Sequence, residues 1–365
     1  MYEKVNSKNV TISKLFFYIA YVILLFKTIC PLLDIWKEIS EILTFIEIML
    51  LCMCILIQTR YYKVKVAIVI VSTLFIAVYS YFITNDSNML LLLLFIYAAK
   101  NICLENFMKI DVKLKIVFLC LNIFFVCMGL VENIINYRPD GSIRRTFGFA
   151  SANSFGGVIL SICLELVYIN RNRLNNLTYL KIILVTLLLF IFCDSRSSEI
   201  SLILLCVLLV FYKKKIYLKK ILPYLMIIFT ILTFLLVYLY GIGNGVAIYL
   251  DELFSTRIMI IYNFLNDYNI GLWGNHIISP DIWIGYITTL DNVYAYLIIN
   301  QGIILYIIII VINFILMKRT IKDKNNILVA ILIVTSIYGL MERTILFIPF
   351  NVFMLFARDI FYKKE

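Results

Sequence analysis

Hydrophobic positions along this chain fall into long blocks separated by short polar segments. Each block is close to the roughly 20 apolar residues that cross a bilayer as a helix. The pattern predicts an all-α protein, a polytopic bundle of about twelve transmembrane helices. The predicted spans are residues 14–33, 40–58, 66–83, 88–105, 114–132, 150–169, 179–194, 197–212, 221–240, 291–316, 327–341 and 344–360.

The basic residues between these blocks predict the orientation of the bundle. Strongly basic and weakly basic segments alternate, and basic loops stay on the cytoplasmic side. The predicted inner loops include Lys109, Lys113 and Lys115 and the cluster at 213–220. Both termini are therefore predicted to be cytoplasmic. The one sizeable extramembrane segment, residues 241–290 between spans nine and ten, is predicted to be extracytoplasmic, helical and interfacial.

Composition narrows the functional class. A chain that is 63% hydrophobic, with mean hydropathy +0.98, exposes too much apolar surface for a soluble domain. Its net charge of +11 lies in the inner loops, so topology explains it better than nucleic-acid binding does. The nine cysteines form no C-x-x-C, and the single histidine, His276, rules out a multi-histidine metal site. Because the sequence shows no internal repeats, residues 1–365 are predicted to form a single membrane domain.

The kind of basic residue differs between the two faces. Of 24 basic residues predicted on the inner face 19 are lysines, whereas six of the seven predicted on the outer face are arginines. Outer cations oppose the positive-inside rule, so a second requirement must hold them there. The planar guanidinium binds phosphate or carboxylate in a bidentate way, which suggests an anion at that face. Arg138, Lys37 and Arg343, which follows Glu342, are interpreted as incidental headgroup contacts.

Two charges inside predicted spans have a structural explanation. Lys27 and Glu47 lie at similar depth in consecutive spans, so they are predicted to form an ion pair that lowers the cost of burying each.

Four outer stretches are predicted to converge: residues 144–157, 194–199, 255–274 and 290–302. For several residues in these stretches, a purely structural role stays open as the alternative to a functional one. Arg196 could pair with Asp194 or Glu199, and Asp291 could cap span ten, a role compatible with catalysis. Gly148 and Gly156 are interpreted as sites of close helix packing.

Motifs in these stretches resemble the O-antigen polymerase and ligase family, the Wzy-type polysaccharide polymerases of bacterial surface glycans. An arginine precedes a Gly-Phe…Asn stretch, a Ser-Arg turn follows two spans later, a further arginine lies in the large outer loop, and Asp-Asn precedes Tyr and Gly. The resemblance covers about residues 140–305 in order. The matching residues are Arg145, Gly148, Asn153, Ser195, Arg196, Arg257, Asp291, Asn292, Tyr294 and Gly302.

The resemblance implies an inverting glycosyl transfer between undecaprenyl-pyrophosphate-linked oligosaccharides outside the bacterial cytoplasmic membrane. Arg145, Arg196 and Arg257 would stabilise the leaving pyrophosphate, and Asp291 would act as base, with His276 as the alternative. No metal and no other cofactor is expected, because arginines would take the place of a cation. The expected substrate-binding residues are Arg144, Asn153, Ser195, Asn292, Tyr294 and His276.

The expected partners are the lipid-linked oligosaccharides, membrane lipid and, as associated proteins, a flippase and a chain-length regulator. Other classes stay open. A flippase of the same glycan would line a cavity through the bilayer with its cations and would show repeats. Ligase members of the family usually carry His where this chain has Asp291, which favours the polymerase branch. A membrane acyltransferase would need an acidic or histidine base nearer the donor's side, whereas His276 is predicted to lie outside.

Overall fold

The computed structural model describes residues 2–30, 35–59, 63–137, 141–212, 219–277 and 289–362. These residues form fifteen α-helices, five short 3-10 helices and one β-hairpin, so the all-α prediction is confirmed apart from the hairpin. The α-helices are α1 Tyr2–Ile29, α2 Ile35–Thr59, α3 Val64–Thr84, α4 Asn88–Ala98, α5 Leu104–Cys127, α6 Ala152–Ile169, α7 Asn176–Phe192, α8 Arg196–Tyr212, α9 Leu225–Gly241, α10 Gly245–Leu253, α11 Arg257–Asp267, α12 Val293–Ile299, α13 Ile303–Lys322, α14 Asn326–Tyr338 and α15 Arg358–Phe361.

The remaining elements are short. The hairpin pairs antiparallel strands β1 Ile135–Tyr137 and β2 Ile143–Arg145, with Ile135 opposite Arg145. The 3-10 helices are Ala99–Asn101, Arg171–Arg173, Leu222–Tyr224, Arg343–Leu346 and Val352–Ala357.

Helix length and exposure identify a membrane protein. Six of the described helices are long and apolar enough to cross a bilayer: Asn9–Ile29, Ile39–Gln58, Val64–Thr84, Ala152–Ile169, Leu222–Gly241 and Ile303–Lys322. On α3 the large apolar side chains of Val71, Phe75 and Phe82 are exposed, whereas Ser80 and Thr84 are buried. Apolar surface facing outward and polar groups facing inward suit a lipid solvent.

Contacts divide the chain into two compact units, although the sequence predicted one domain. Unit one comprises residues 1–67, 94–215 and 348–365, and unit two comprises residues 68–93 and 216–347. Both units are discontinuous in sequence.

The predicted pair of Lys27 and Glu47 is confirmed in unit one. The Lys27 Nζ lies 3.4 Å from the Glu47 Oε1, and the Glu47 side chain is fully buried. The ammonium also donates to Thr44 Oγ1 at 2.6 Å. The pair joins α1 to α2.

A second buried charge cluster in unit one corrects the predicted inner loop. The prediction counted Lys115 with the inner-loop lysines, at the very start of a span at 114–132, but α5 begins ten residues earlier, at Leu104. Lys115 is fully buried, with its Nζ 2.8 Å from the Asp111 Oδ2 and 2.5 Å from the Glu165 Oε1. Ser161 Oγ accepts a hydrogen bond from the same ammonium at 2.7 Å. Partners inside the bundle allow charged residues within a helix whose start hydropathy alone placed too late.

Two predicted spans are interrupted. Predicted span ten, 291–316, is two helices, α12 and α13, separated at 300–302. Predicted span twelve, 344–360, consists of two 3-10 helices and the short α15, with Pro349 between them. Proline lacks an N–H group and clashes with the preceding helical turn, so it interrupts a helix.

The loop at 271–275 closes the interruption before α13 in unit two. Gly302 has φ +91° and Gly274 has φ +88°. The backbone N–H groups of Ile303 and Ile304 donate to the carbonyls of Gly271 and Leu272 at 3.1 and 3.2 Å. The loop therefore supplies acceptors to N–H groups that the helix start leaves without intrahelical partners.

The segment 241–290 is helical only in part. Ser255 and Thr256, with φ of 56° and 63°, separate two helices, α10 and α11, and the described residues 268–277 form an irregular loop.

The charge balance of the Lys115 cluster generates a prediction. One ammonium faces two carboxyl groups, so we expect one carboxyl group to hold a proton. Lys115→Met would leave buried acids without their cation and should cost roughly 3–5 kcal/mol. Glu165→Gln should cost much less, because its amide oxygen can still accept from Lys115. Thermal unfolding in detergent measures both.

Lys113→Met is the matched control, since Lys113 is exposed on the same helix. Equal losses from Lys115→Met and Glu165→Gln would contradict the predicted charge balance.

The contact between Gly302 and Gly274 generates a second prediction. A Cβ at Gly302 would lie 2.4 Å from the Gly274 backbone nitrogen, so Gly302→Ala must displace the loop. Gly243 also has positive φ, at +74°, but open space surrounds it, so Gly243→Ala should cost only the backbone strain of about 1–2 kcal/mol. Gly302→Ala should unfold at a clearly lower temperature. Equal melting temperatures would contradict the close approach.

Candidate functional site

Two of the four predicted stretches come together in unit one. Arg144 lies on β2, Asn153 in the first turn of α6, and Ser195 immediately before α8. The Arg144 Nη2 donates to the Asn153 Oδ1 at 2.5 Å, and the Ser195 Oγ donates to the same oxygen at 3.5 Å. We call Arg144, Asn153, Ser195 and Arg196 the arginine cluster. The predicted convergence of stretches 144–157 and 194–199 is confirmed.

Close packing of α6 on α8 positions this cluster. A Cβ at Gly156 would lie 2.4 Å from the Ser195 Oγ, so only glycine allows this approach. Gly148 has φ +80°, and a Cβ there would lie 2.7 Å from Asn122 Nδ2. The packing interpretation of both glycines is confirmed. The Ser142 Oγ donates to Asp194 Oδ2 at 3.0 Å and ties the hairpin to the turn.

The electrostatics of the arginine cluster favour an anion. α6 and α8 both begin here, and helix N-termini carry a partial positive charge and free N–H groups. The Arg144 Nε is buried and lacks a hydrogen-bond partner among the residues that the structure describes. Arg145, next along β2, is half-buried. A phosphate or carboxylate would satisfy these donors.

Arg196 is the exposed partner of an ion pair. Its Nε lies 3.7 Å from the Asp194 Oδ1, which confirms the predicted alternative of an ion pair with Asp194. The Arg196 side chain is nevertheless 48% exposed, whereas the Asp194 side chain is 6% exposed. The guanidinium faces solvent and its separation from the carboxylate is long, so the pair is weak and an incoming anion can compete for Arg196.

Arg257, in unit two, forms a nearly buried ion pair. It begins α11, and its Nη2 lies 2.6 Å from the Glu342 Oε1, with 18% and 5% of the two side chains exposed. The sequence had placed Glu342 beside Arg343, but the carboxylate bonds to Arg257. Chain neighbours at the start of a 3-10 helix point in different directions, which sequence adjacency does not reveal.

The start of α11 depends on Asp251. Thr256, at the N-cap position, provides no side-chain cap, and the Asp251 Oδ1 instead accepts from the N–H groups of Ile258 and Met259 at 2.7 and 2.9 Å. Burial raises the pKa of the Asp251 carboxyl, and these two hydrogen bonds partly offset the shift. This cap fixes where Arg257 leaves the helix.

Stretch 290–302, also in unit two, contains three of the predicted site residues. Asn292 and Tyr294 bond to other helices, whereas Asp291 bonds to a neighbour in the chain. Asn292 caps α12 by accepting from the N–H groups of Tyr294 and Ala295, so the alternative that Asp291 is the cap is wrong. The Asn292 Nδ2 donates to the Leu340 carbonyl, and the buried Tyr294 hydroxyl donates to the Ser336 carbonyl at 2.6 Å. Asp291 is half-buried, and its Oδ1 accepts from Thr289 Oγ1 at 2.8 Å. Asn292 and Tyr294 therefore hold helices together.

A polar pocket of about 490 Å³ lies in unit two near Asp291. Its walls come from segments that the charge pattern predicts to be extracytoplasmic, with Asn300 from the helix interruption. His276 is the one predicted site residue among them. The lining residues are Thr84, Asn85, Asp86, Ser87, Asn88, Phe264, His276, Ile277, Thr289, Leu290, Asn300 and Arg343.

The predicted headgroup role does not describe the position of Arg343. Its guanidinium carbon lies 5.4 Å from the Tyr296 ring centroid and it lines the pocket. The Tyr296 hydroxyl donates to the Asp86 Oδ2 at 2.6 Å. Sequence reasoning missed Asp86 and Arg343, although the polar turn Asn85–Asn88 between two apolar blocks was a usable signal. Arg138 lies outside the described residues, as does the Lys37 side chain.

The predicted catalytic residues belong to both units. Arg145 and Arg196 lie in unit one, and Arg257 and Asp291 lie in unit two. In unit two the predicted convergence of stretches 255–274 and 290–302 is confirmed by the hydrogen bonds between residues 271–275 and 300–304.

Comparison with known proteins identifies no relative. No family model, no curated protein and no solved structure matches this chain.

The ion pair of Arg257 and Glu342 generates a prediction. Either Arg257→Met or Glu342→Leu would leave a buried partner uncompensated, which costs roughly 3–5 kcal/mol for a fully buried pair and less here, where Arg257 is partly exposed. The double variant should recover most of that loss, because no buried charge remains unpaired. Thermal unfolding of the three variants measures the coupling. Additive losses in the double variant would contradict the pair.

Proposed function

We propose that this chain is a membrane glycosyltransferase. It would join lipid-pyrophosphate-linked oligosaccharide repeat units into a surface polysaccharide outside the cytoplasmic membrane, as its resemblance to Wzy-type polymerases implies. The observation that carries the proposal is the convergence of Arg144, Asn153 and Ser195 on one another where α6 and α8 begin. Asn153 and Ser195, with Arg196, belong to the two motifs that support the resemblance in unit one, and Arg144 directly precedes Arg145, the arginine of the first motif.

The arginine cluster suits a pyrophosphate leaving group. Two helix N-termini and two guanidinium groups concentrate donors for negative charge. Such donors, held in place before the reaction, stabilise charge that develops on the pyrophosphate as its bond to the sugar breaks. Arg145, the next residue on the hairpin, would add a further cation.

The proposed reaction is an inverting displacement. A hydroxyl oxygen of the acceptor sugar forms a bond to C1 of the donor sugar, and the bond from C1 to the pyrophosphate oxygen breaks. The pyrophosphate leaves with the electron pair, and the hydroxyl proton passes to a base. Asp291 and His276, both in unit two, remain the candidates for that base. In this scheme the arginines supply the positive charge that other glycosyltransferases take from a metal ion.

Arg257 has a structural role that must be separated from any contact with the pyrophosphate. Its ion pair with Glu342 gives it a structural role, so loss of activity on its replacement would not by itself show contact with phosphate. The stability-matched double variant Arg257→Met with Glu342→Leu separates the two roles. Polymer formed by that variant would assign Arg257 to structure alone.

The test is glycan sizing in cells that depend on this chain for polymer. Arg196→Gln should abolish polymer and leave single repeat units outside, because loss of one preorganised donor costs about 10²–10³ in rate. Arg196→Lys should retain partial activity, since lysine keeps the charge but loses the bidentate contact. Immunoblotting of membranes checks the protein level.

Arg173→Gln is the matched control, because Arg173 is exposed on a predicted inner loop and should not affect polymer length. Full-length polymer from Arg196→Gln would refute the proposed role of the cluster. Absence of extracytoplasmic repeat units after deletion of the chain would instead indicate a flippase.

A further inference from the structure

Arg343 presents a cation to the pocket, and none of the residues that the structure describes pairs with it as a counterion. Its side chain contacts the Tyr296 ring but forms no hydrogen bond or ion pair with any residue that the structure describes. The adjacent carboxylate, Glu342, bonds to Arg257 at 2.6 Å. Because a guanidinium has five N–H donors, Arg343 can bind an anionic group that enters the pocket.

Other residues of the lining are fixed hydrogen-bonding groups. The Asp86 Oδ2 accepts from the Tyr296 hydroxyl and its Oδ1 accepts from the Asn88 N–H at 2.9 Å. The Asn300 Oδ1 accepts from Gln301 Nε2 at 2.6 Å. Both side chains are therefore oriented, and a carboxylate with two acceptor bonds still has free lone pairs.

This combination suits a sugar better than a simple anion. Hydroxyl groups both donate and accept, so they match a lining of carboxylate, carboxamide and hydroxyl groups. The volume of about 490 Å³ is typical of small-ligand sites, which span about 300–1,000 Å³. The Asp86 carboxylate disfavours a pyrophosphate, whose several negative charges it would repel, whereas a single anionic group can lie at Arg343.

We propose that this pocket binds a saccharide that carries one anionic substituent, a carboxylate or a phosphate. Arg343 binds the anionic group, and Asp86 and Asn300 bind ring hydroxyls. As an acceptor site the inference rests on the proposed function, and it adds a constraint on the substrate: the repeat unit contains an acidic sugar. Binding itself can be measured without polymerisation.

The experiment is ligand-observed NMR on the purified full-length chain in detergent. The probes are glucuronate, glucose 6-phosphate, uncharged glucose and inorganic phosphate. We expect at least one of the two acidic sugars to bind about ten- to a hundredfold more tightly than glucose, the effect of a charge-assisted hydrogen bond. Preference for one of the two distinguishes carboxylate from phosphate recognition.

Variants connect the preference to Arg343. Arg343→Gln should remove the discrimination between acidic sugar and glucose, Arg343→Lys should retain part of it, and Arg173→Gln should leave it intact. An unchanged melting temperature shows that each variant is folded. If Arg343→Gln does not fold, His276→Gln, which alters an exposed lining side chain, should still weaken binding of the acidic sugar severalfold.

Three outcomes would overturn the inference: equal binding of glucose and both acidic sugars, binding of inorganic phosphate alone, or full discrimination in the folded Arg343→Gln variant. None of these depends on Arg196. Normal polymer from Arg196→Gln would instead refute the proposed function and leave the binding result as it stands.

Discussion

Unit two depends on the satisfaction of backbone groups where a helix is interrupted in an apolar environment. An unpaired N–H or carbonyl buried away from water costs several kcal/mol in lipid, so a helix can stop within a bundle only where other groups replace its hydrogen bonds. Here the carbonyls of Gly271 and Leu272 accept from Ile303 and Ile304, and the Asn275 N–H donates to the Asn300 carbonyl. The approach requires glycine at both 274 and 302. The same interruption directs Asn300 into the pocket.

The buried charges serve two different purposes. In unit one, Lys115 lies between Asp111 and Glu165, and each member is fully buried with a partner inside the bundle. Such groups hold helices together, and they have no exposed surface at which a substrate could bind. Arg196 and Arg343 differ, because the first is half exposed beside a distant carboxylate and the second lacks a counterion among the described residues. Exposure at Arg196, and the absence of a counterion among the described residues at Arg343, distinguish these two arginines from the buried charges of the Lys115 cluster.

The sequence predicted which segments and helices contact one another better than it predicted the partner of each polar side chain. Glycines 148 and 156, the pair of Lys27 with Glu47, and the contact between residues 144–157 and 194–199 all followed from spacing and depth. Hydropathy failed at Lys115 because it counts charge without its partner, and at 344–360 because it ignores the backbone requirements of Pro349. The cap at Asn292 and the bond from Arg257 to Glu342 depend on side-chain direction, which a one-dimensional pattern does not contain.

The competition for Glu342 connects these points. Two arginines lie close enough to compete for the Glu342 carboxylate. They are Arg257, at the start of α11, and Arg343, the next residue in the chain. Its bond to Arg257 fixes the loop helix α11, whose start Asp251 caps, and it leaves Arg343 over Tyr296. Had Glu342 paired with Arg343, the pocket would have a neutral wall and Arg257 an unpaired charge. The arginine that looked incidental by sequence is therefore the better placed of the two to bind an anion, because the other already holds the structure.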